Sequence, residues 1–181
     1  MTTSFTIREL IPDDAPAYVV LRREMLLDSP HAFGDSPDDD RSSDEALIRT
    51  HLTARRDRTP RACVAIVGAF AQAGSLASVC TIVREQTSKR RHIALFVGVY
   101  TTPPQRGRGA CAMVLRAAID LCAQWEGIEV AQLAVNEGSP AARRLYERAG
   151  FEAWGTEPDA VRVDGRSSAE VHMSCRVDRR S

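Results

Sequence analysis

The segment Val99-Tyr100-Thr101-Thr102-Pro103-Pro104-Gln105-Arg106-Gly107-Arg108-Gly109-Ala110-Cys111 constrains this chain most. A β-rich run breaks at two prolines, turns through Gly107 and Gly109, and gives way to apolar residues at helical spacing. Glycine lets such a turn fold tightly and approach a ligand closely. The helix that follows opens with amide N–H groups lacking intrahelical acceptors, which together with the helix dipole make an anion site. Arg106 and Arg108 add positive charge, and a guanidinium suits bidentate contact with phosphate. The plainer alternative is a glycine turn beside two solvated arginines. The P-loop pattern is absent, and Gly107-x-Gly109-x-x-Ala112 matches only the alanine-ending form of the dinucleotide fingerprint.

The rest of the chain predicts one domain over residues 1–181. Phe5–Leu10 reads as a strand. A helix opens at Pro12 with Asp13 and Asp14 in its first turn and buries Tyr18, Leu21, Met25 and Leu27. Residues 30–45 read as an acidic, proline-bearing loop. A second helix over 44–56 places Leu47, Ile48 and Leu52 inward and Arg49, Arg55 and Arg56 outward. Strands over 62–70, 76–84 and 93–101 form an antiparallel meander. The helix after the glycine turn buries Met113, Leu115, Ala118, Ile119 and Cys122 and ends at Gly127. A strand over 128–135, a helix over 139–149 and strands over 151–157 and 169–177 complete the order, with Asp164-Gly165 as a turn signal. The expected class is α/β (α+β): a mixed, mostly antiparallel central sheet flanked by helices.

Composition removes several functions. Lys+Arg and Asp+Glu both number 24, which argues against general nucleic-acid binding. No apolar run is long enough for a transmembrane helix, so no membrane association is expected. Cys63, Cys80, Cys111, Cys122 and Cys175 are scattered without zinc spacing, which reads as small core residues in a reducing, cytoplasmic setting with no metal.

A second segment, Leu133 to Phe151, carries chemistry. Ser139 suits a helix N-cap and Pro140 the first helical position. Ala142, Leu145 and Ala149 share a packing face, while Tyr146 allows burial or a site role. Arg106-x-x-Gly109-x-Cys111 resembles the [QR]-x-x-G-x-[GA] signature of the GNAT N-acetyltransferases. Val135, Ala142, Leu145-Tyr146 and Gly150-Phe151 resemble that family's second hallmark. Cys111 departs from Gly or Ala, and Ser139 stands in the usual Asn slot; its hydroxyl replaces only part of an amide's bonding.

The resemblance implies acetyl-CoA as co-substrate and an amine acceptor, either a small molecule or a peptide, acetylated by direct attack. It places main-chain contacts at Val99, Tyr100 and Thr101. Pyrophosphate contacts would come from Arg106, Gly107, Arg108, Gly109, Ala110, Cys111 and Ala112. Further contacts are expected at Ser139, Ala142 and Tyr146, with Tyr146 as general acid. Glu85 and His92, bracketing one turn, are the candidate bases. Acids at Asp35, Asp38, Asp39, Asp40, Asp44 and Glu45 would attract a cationic acceptor or simply solubilise their loop. A sheet edge or the C-terminal hairpin could support a homodimer. The competing readings are a degenerate acyl-CoA-binding sensor without turnover and a nucleotide-binding enzyme using the same turn.

Overall fold

The computed structural model describes residues 4–54, 64–72 and 74–178. The described elements follow the predicted order: β1 (Thr6–Glu9), α1 (Ala15–Asp28), α2 (Glu45–Ala54), β2 (Val64–Phe70), β3 (Leu76–Arg84), β4 (Ile93–Thr101), α3 (Ala110–Cys122), β5 (Val130–Asn136), α4 (Pro140–Arg148), β6 (Glu152–Val163) and β7 (Arg166–Arg176). Arg55, Arg56, Cys63 and Ala73 lie outside the described residues, as does the predicted start of the second strand at Ala62.

The strands form one sheet in the order β1-β2-β3-β4-β5-β7-β6. Every neighbouring pair is antiparallel except β4 and β5. Those two pair only at Ile93 with Val130, Ala94 with Ala131 and Leu95 with Gln132. Past Leu95 they separate, and the sheet opens into a cleft between them.

Strand alternation feeds two cores, because successive side chains point to opposite faces. Ile66, Phe70, Leu76, Val79 and Tyr100 pack with Tyr18, Leu21, Met25, Ile48 and Leu52 of α1 and α2. Val67, Ala69, Cys80, Ile82 and Phe96 pack on the other face with Val114, Leu115, Ala118 and Cys122 of α3 and Tyr146 of α4.

Several local expectations change. Leu27 is exposed and Leu26 buried, since position 26 falls on the stripe of Leu21, Arg22 and Met25. Met113 faces outward for the same geometric reason, with Val114 taking its place in the core. Short 3-10 turns at Pro30–Ala32 and Arg41–Ser43 punctuate the acidic loop. β6 runs on to Val163, well past the predicted end at 157, and β7 begins at Arg166 rather than 169. They meet at Asp164-Gly165, where φ is 49° and 75°, the two positive values of a type I′ hairpin.

Candidate active site

A cavity of about 500 Å³ occupies the cleft between β4 and β5 and reaches both faces of the sheet. Phe96, Val97, Gly98 and Val99 form one wall, and Ala134, Val135 and Asn136 the other. Ser139, Ala142 and Tyr146 reach it from α4, while Tyr18, Arg22, Phe33 and Asp35 line it from the α1 side.

A bulge shapes the β4 wall. Val79 pairs with Tyr100 and Thr81 with Val97, so Gly98 and Val99 together oppose Cys80. Gly98 has φ of +58°, which glycine adopts without strain. Since β4 has no partner toward β5 beyond Leu95, alternate backbone groups of this stretch face the cavity rather than a ladder.

The glycine turn then leads into α3. Gly107 and Gly109 have φ of +72° and +85°, and a Cβ at either would meet nothing within 4 Å. No side chain caps α3, and its first main-chain bond runs from the Met113 N–H to the Gly109 carbonyl at 3.1 Å. The amides from Gly109 to Ala112 therefore have no intrahelical acceptor, with Gly109 and Ala112 exposed at the turn. This donor set fits a pyrophosphate, with Arg108 exposed beside it. Arg106 is differently engaged: its guanidinium pairs with Asp28 of α1, and its Nε donates to the Thr101 carbonyl at 3.1 Å. The Tyr100 hydroxyl donates to Glu24 at 3.1 Å, a second tie between the turn and α1.

Tyr146 is 7% exposed, in edge contact with the Phe151 ring. Burial pushes its phenol well above the ordinary value of 10.0, and Cys111 and Cys80 nearby add to the shift. Its hydroxyl has no hydrogen-bond partner among the described residues, and Tyr146 lines the cavity. Ser139 stands at the predicted N-cap of α4, yet its hydroxyl makes no capping bond and remains available at the cavity wall. Cys111 is half-buried, with burial raising its thiol and hydrogen bonds to Thr101 and Ser78 pulling it down.

Glu85 and His92 are not brought to this cavity. They flank the β3–β4 turn, where the Glu85 N–H donates to the Ile93 carbonyl and its carboxylate pairs with Arg90 at 2.9 Å. Gly98 lies five residues further along β4, about 17 Å at strand rise. The acidic loop is also divided. Asp39 binds Ser36, Asp44 caps α2 through Ala46 and Leu47, and Glu45 pairs with Arg49. Asp40 is buried against Arg22, and Asp35 alone of these acids lines the cavity.

Arg22 and Glu170 were not among the predicted site residues, although both line the cavity. Arg22 carried a signal, since it shares the apolar stripe of Tyr18, Leu21 and Met25. Glu170 carried none, because a glutamate on an alternating strand ordinarily reads as solvated.

The chain belongs to the acetyltransferase (GNAT) family, whose profile matches residues 19–151. Among curated proteins, L-amino acid N-acetyltransferase AaaT of Escherichia coli (strain K12) is 29% identical over 83 residues, 46% of this chain and 51% of that one. The chain thus matches about half the length of that relative. The fold is shared with yncA of Salmonella typhimurium, solved with its cofactor acetyl-CoA, at TM-score 0.82 and 19% identity over 99% of this chain and 97% of the other. It is shared as well with spermidine N-acetyltransferase of Vibrio cholerae in complex with CoA and spermine, at TM-score 0.75 and 18% identity over 96% and 95%.

Proposed function

We propose that this chain transfers the acetyl group of acetyl-CoA to a primary amine by direct attack within the β4–β5 cleft. The observation that carries this reading is the parting of β4 from β5 past Leu95, which leaves the β4 bulge and Tyr146 of α4 lining one cavity. The uncapped α3 N-terminus that follows β4 offers an anion site, the bulge at Gly98 and Val99 offers backbone donors, and Tyr146 lines the same cavity as the bulge. Acetyl-CoA supplies a thioester, an acyl group already activated toward amines.

The chain's residues divide the work. Amides of the Gly107–Ala112 turn, with Arg108, hold the pyrophosphate. The Val99 amide is the proposed donor to the oxygen that gains charge during attack, where a preorganised dipole lowers the barrier most. Holding both reactants in one cleft removes the entropy of a bimolecular encounter. Tyr146 keeps its proton until a thiolate develops beside it in the same desolvated site, and then donates. Ser139 and Ala142 border the pantetheine path. The relatives named for an L-amino acid and for spermidine both support an acceptor presenting an amine. A cytoplasmic setting agrees with this co-substrate and with the free thiols of Cys80, Cys111, Cys122 and Cys175.

The test is thiol release from acetyl-CoA across a panel of amines, amino acids and peptides, run beside thermal stabilisation by coenzyme A, NAD and ATP. Amine-dependent release with selective stabilisation by coenzyme A is expected. Stabilisation by coenzyme A without release across the panel would instead indicate a binding module, and selective stabilisation by NAD or ATP a nucleotide enzyme.

A further inference from the structure

Cavity residues on the α1 side differ sharply in how their charges are satisfied. Arg22 is 6% exposed and bonds both oxygens of Asp40 at 3.2 Å and Asp35 at 2.5 Å, so each cavity charge there has a partner. Glu170 of β7 is half-buried at the same cavity, and its carboxylate has no hydrogen bond or ion pair among the described residues. Strand register places it opposite Asn136 of β5 and Glu157 of β6. Asn136 is committed to Ser168 at 2.7 Å and to the Gly138 amide at 2.9 Å. Glu157 is committed to His172 at 3.0 Å. The Asn136 amide that could have hydrogen-bonded Glu170 is therefore engaged elsewhere, and Glu157, itself a carboxylate, offers no neutralising charge.

Because side chains alternate along β7, Val171 and Met173 enter the α3–α4 core and Glu170 points to the opposite face. Tyr146 belongs to that core, and the cavity joins the two faces at the cleft. A partly desolvated carboxylate without a partner is costly, so the vacant position beside it favours a cation. Burial holds this carboxyl above its usual range; His172 pulls it down and Glu157 pushes it up. Arg22, Asp35, His51 and the phenols of Tyr18 and Tyr146 are the other charged or titratable groups lining the cavity, and Arg22 is already matched by two carboxylates. The acceptor face thus carries an excess of negative charge.

We propose that Glu170 receives the acceptor's ammonium and takes its proton, making this face a subsite for a primary amine cation. The step rests on the acetyl-transfer reading above, and its protons balance. One proton passes from the ammonium to the Glu170 carboxylate and from there to solvent. The freed amine lone pair forms the C–N bond at the thioester carbonyl, and the C–S bond breaks. Sulfur takes the Tyr146 proton, and the phenolate recovers the second proton of the attacking nitrogen.

The decisive comparison is Glu170→Gln against the unsubstituted chain, with Glu170→Asp as the conservative control. Thiol release with a primary amine is followed across pH, and butylamine binding to the coenzyme A-saturated protein is measured by calorimetry. Glu170→Gln is expected to lower kcat/KM by about 10²–10⁴-fold near neutrality and to lose the acidic limb set by the base. It should also weaken butylamine binding while leaving coenzyme A binding unchanged, and Glu170→Asp should restore part of both. An unchanged kcat/KM, acidic limb and butylamine affinity in Glu170→Gln would overturn the proposal while leaving acetyl transfer standing. Absent turnover in the unsubstituted chain, with butylamine binding still dependent on Glu170, would overturn acetyl transfer and the proton step while upholding the cation subsite.

Discussion

Arg22 grips Asp40 in the interior, with Nε and Nη2 each 3.2 Å from a carboxylate oxygen and both side chains nearly inaccessible. This pair ties α1 to the loop that closes the cavity, and Asp35 extends the tie to the cavity rim. Removing one partner of a buried pair leaves an uncompensated charge, typically costing about 3–5 kcal/mol. Arg22→Met should therefore destabilise the fold by that order, and adding Asp40→Leu should recover much of it. Urea denaturation of the two variants checks this; equal stability of both would show that Asp40 was not held by Arg22.

Gly98 tests the bulge. A Cβ there would stand 3.7 Å from Arg22 Nη1 and 3.8 Å from Thr81 Oγ1, so space is not the obstacle. The obstacle is φ of +58°, which costs an L-residue roughly 1–2 kcal/mol. Gly98→Ala should lose about that much stability and should also lower turnover, because relaxing the bulge re-aims the backbone donors at the cleft. Full activity in a normally folded Gly98→Ala protein would separate the bulge from the chemistry.

Tyr146→Phe removes a hydroxyl with no protein partner, so folding should be nearly unaffected. Coenzyme A affinity should persist while kcat falls by about 10²–10⁴-fold. Steady-state kinetics beside calorimetric binding distinguishes this from a packing role, which would move stability instead.

Acid sensitivity has a specific contributor in Asp14. A hydrogen bond from the Arg8 guanidinium, at 2.6 Å, holds this carboxyl below its ordinary 3.8, with the Ile11 amide and the Arg8 charge assisting against partial burial. The folded value is depressed, so the stabilisation is present above 3.8 and is lost as pH falls through the folded value. Arg8→Met should be less stable than the unsubstituted chain near neutrality, and the difference should shrink in acid. A gap constant with pH would assign the loss to Arg8 packing over the Phe70 ring, 3.9 Å from its centroid.

The element order was legible because each switch in hydrophobic period coincides with a glycine or proline signal, as at Pro103, Gly127 and Asp164-Gly165. The tight turn before α3 was legible from Gly107 and Gly109, which take positive φ there. The β4–β5 separation was not, because pairing between distant strands leaves no local periodicity. Gly98 did leave a trace, a glycine inside an apolar strand, which commonly marks a bulge or a close approach. The distance of Glu85 and His92 from the cavity follows from strand length: a turn at one end of β4 cannot serve a cleft at the other.

Direct transfer in the cleft is tested most sharply by rapid quench with acetyl-CoA labelled in its acetyl group. Direct transfer puts label in the acceptor amide equal to the thiol released, with none on the protein at any time. Label appearing first on the protein, for instance at Cys111, or thiol release without labelled amide, would contradict it.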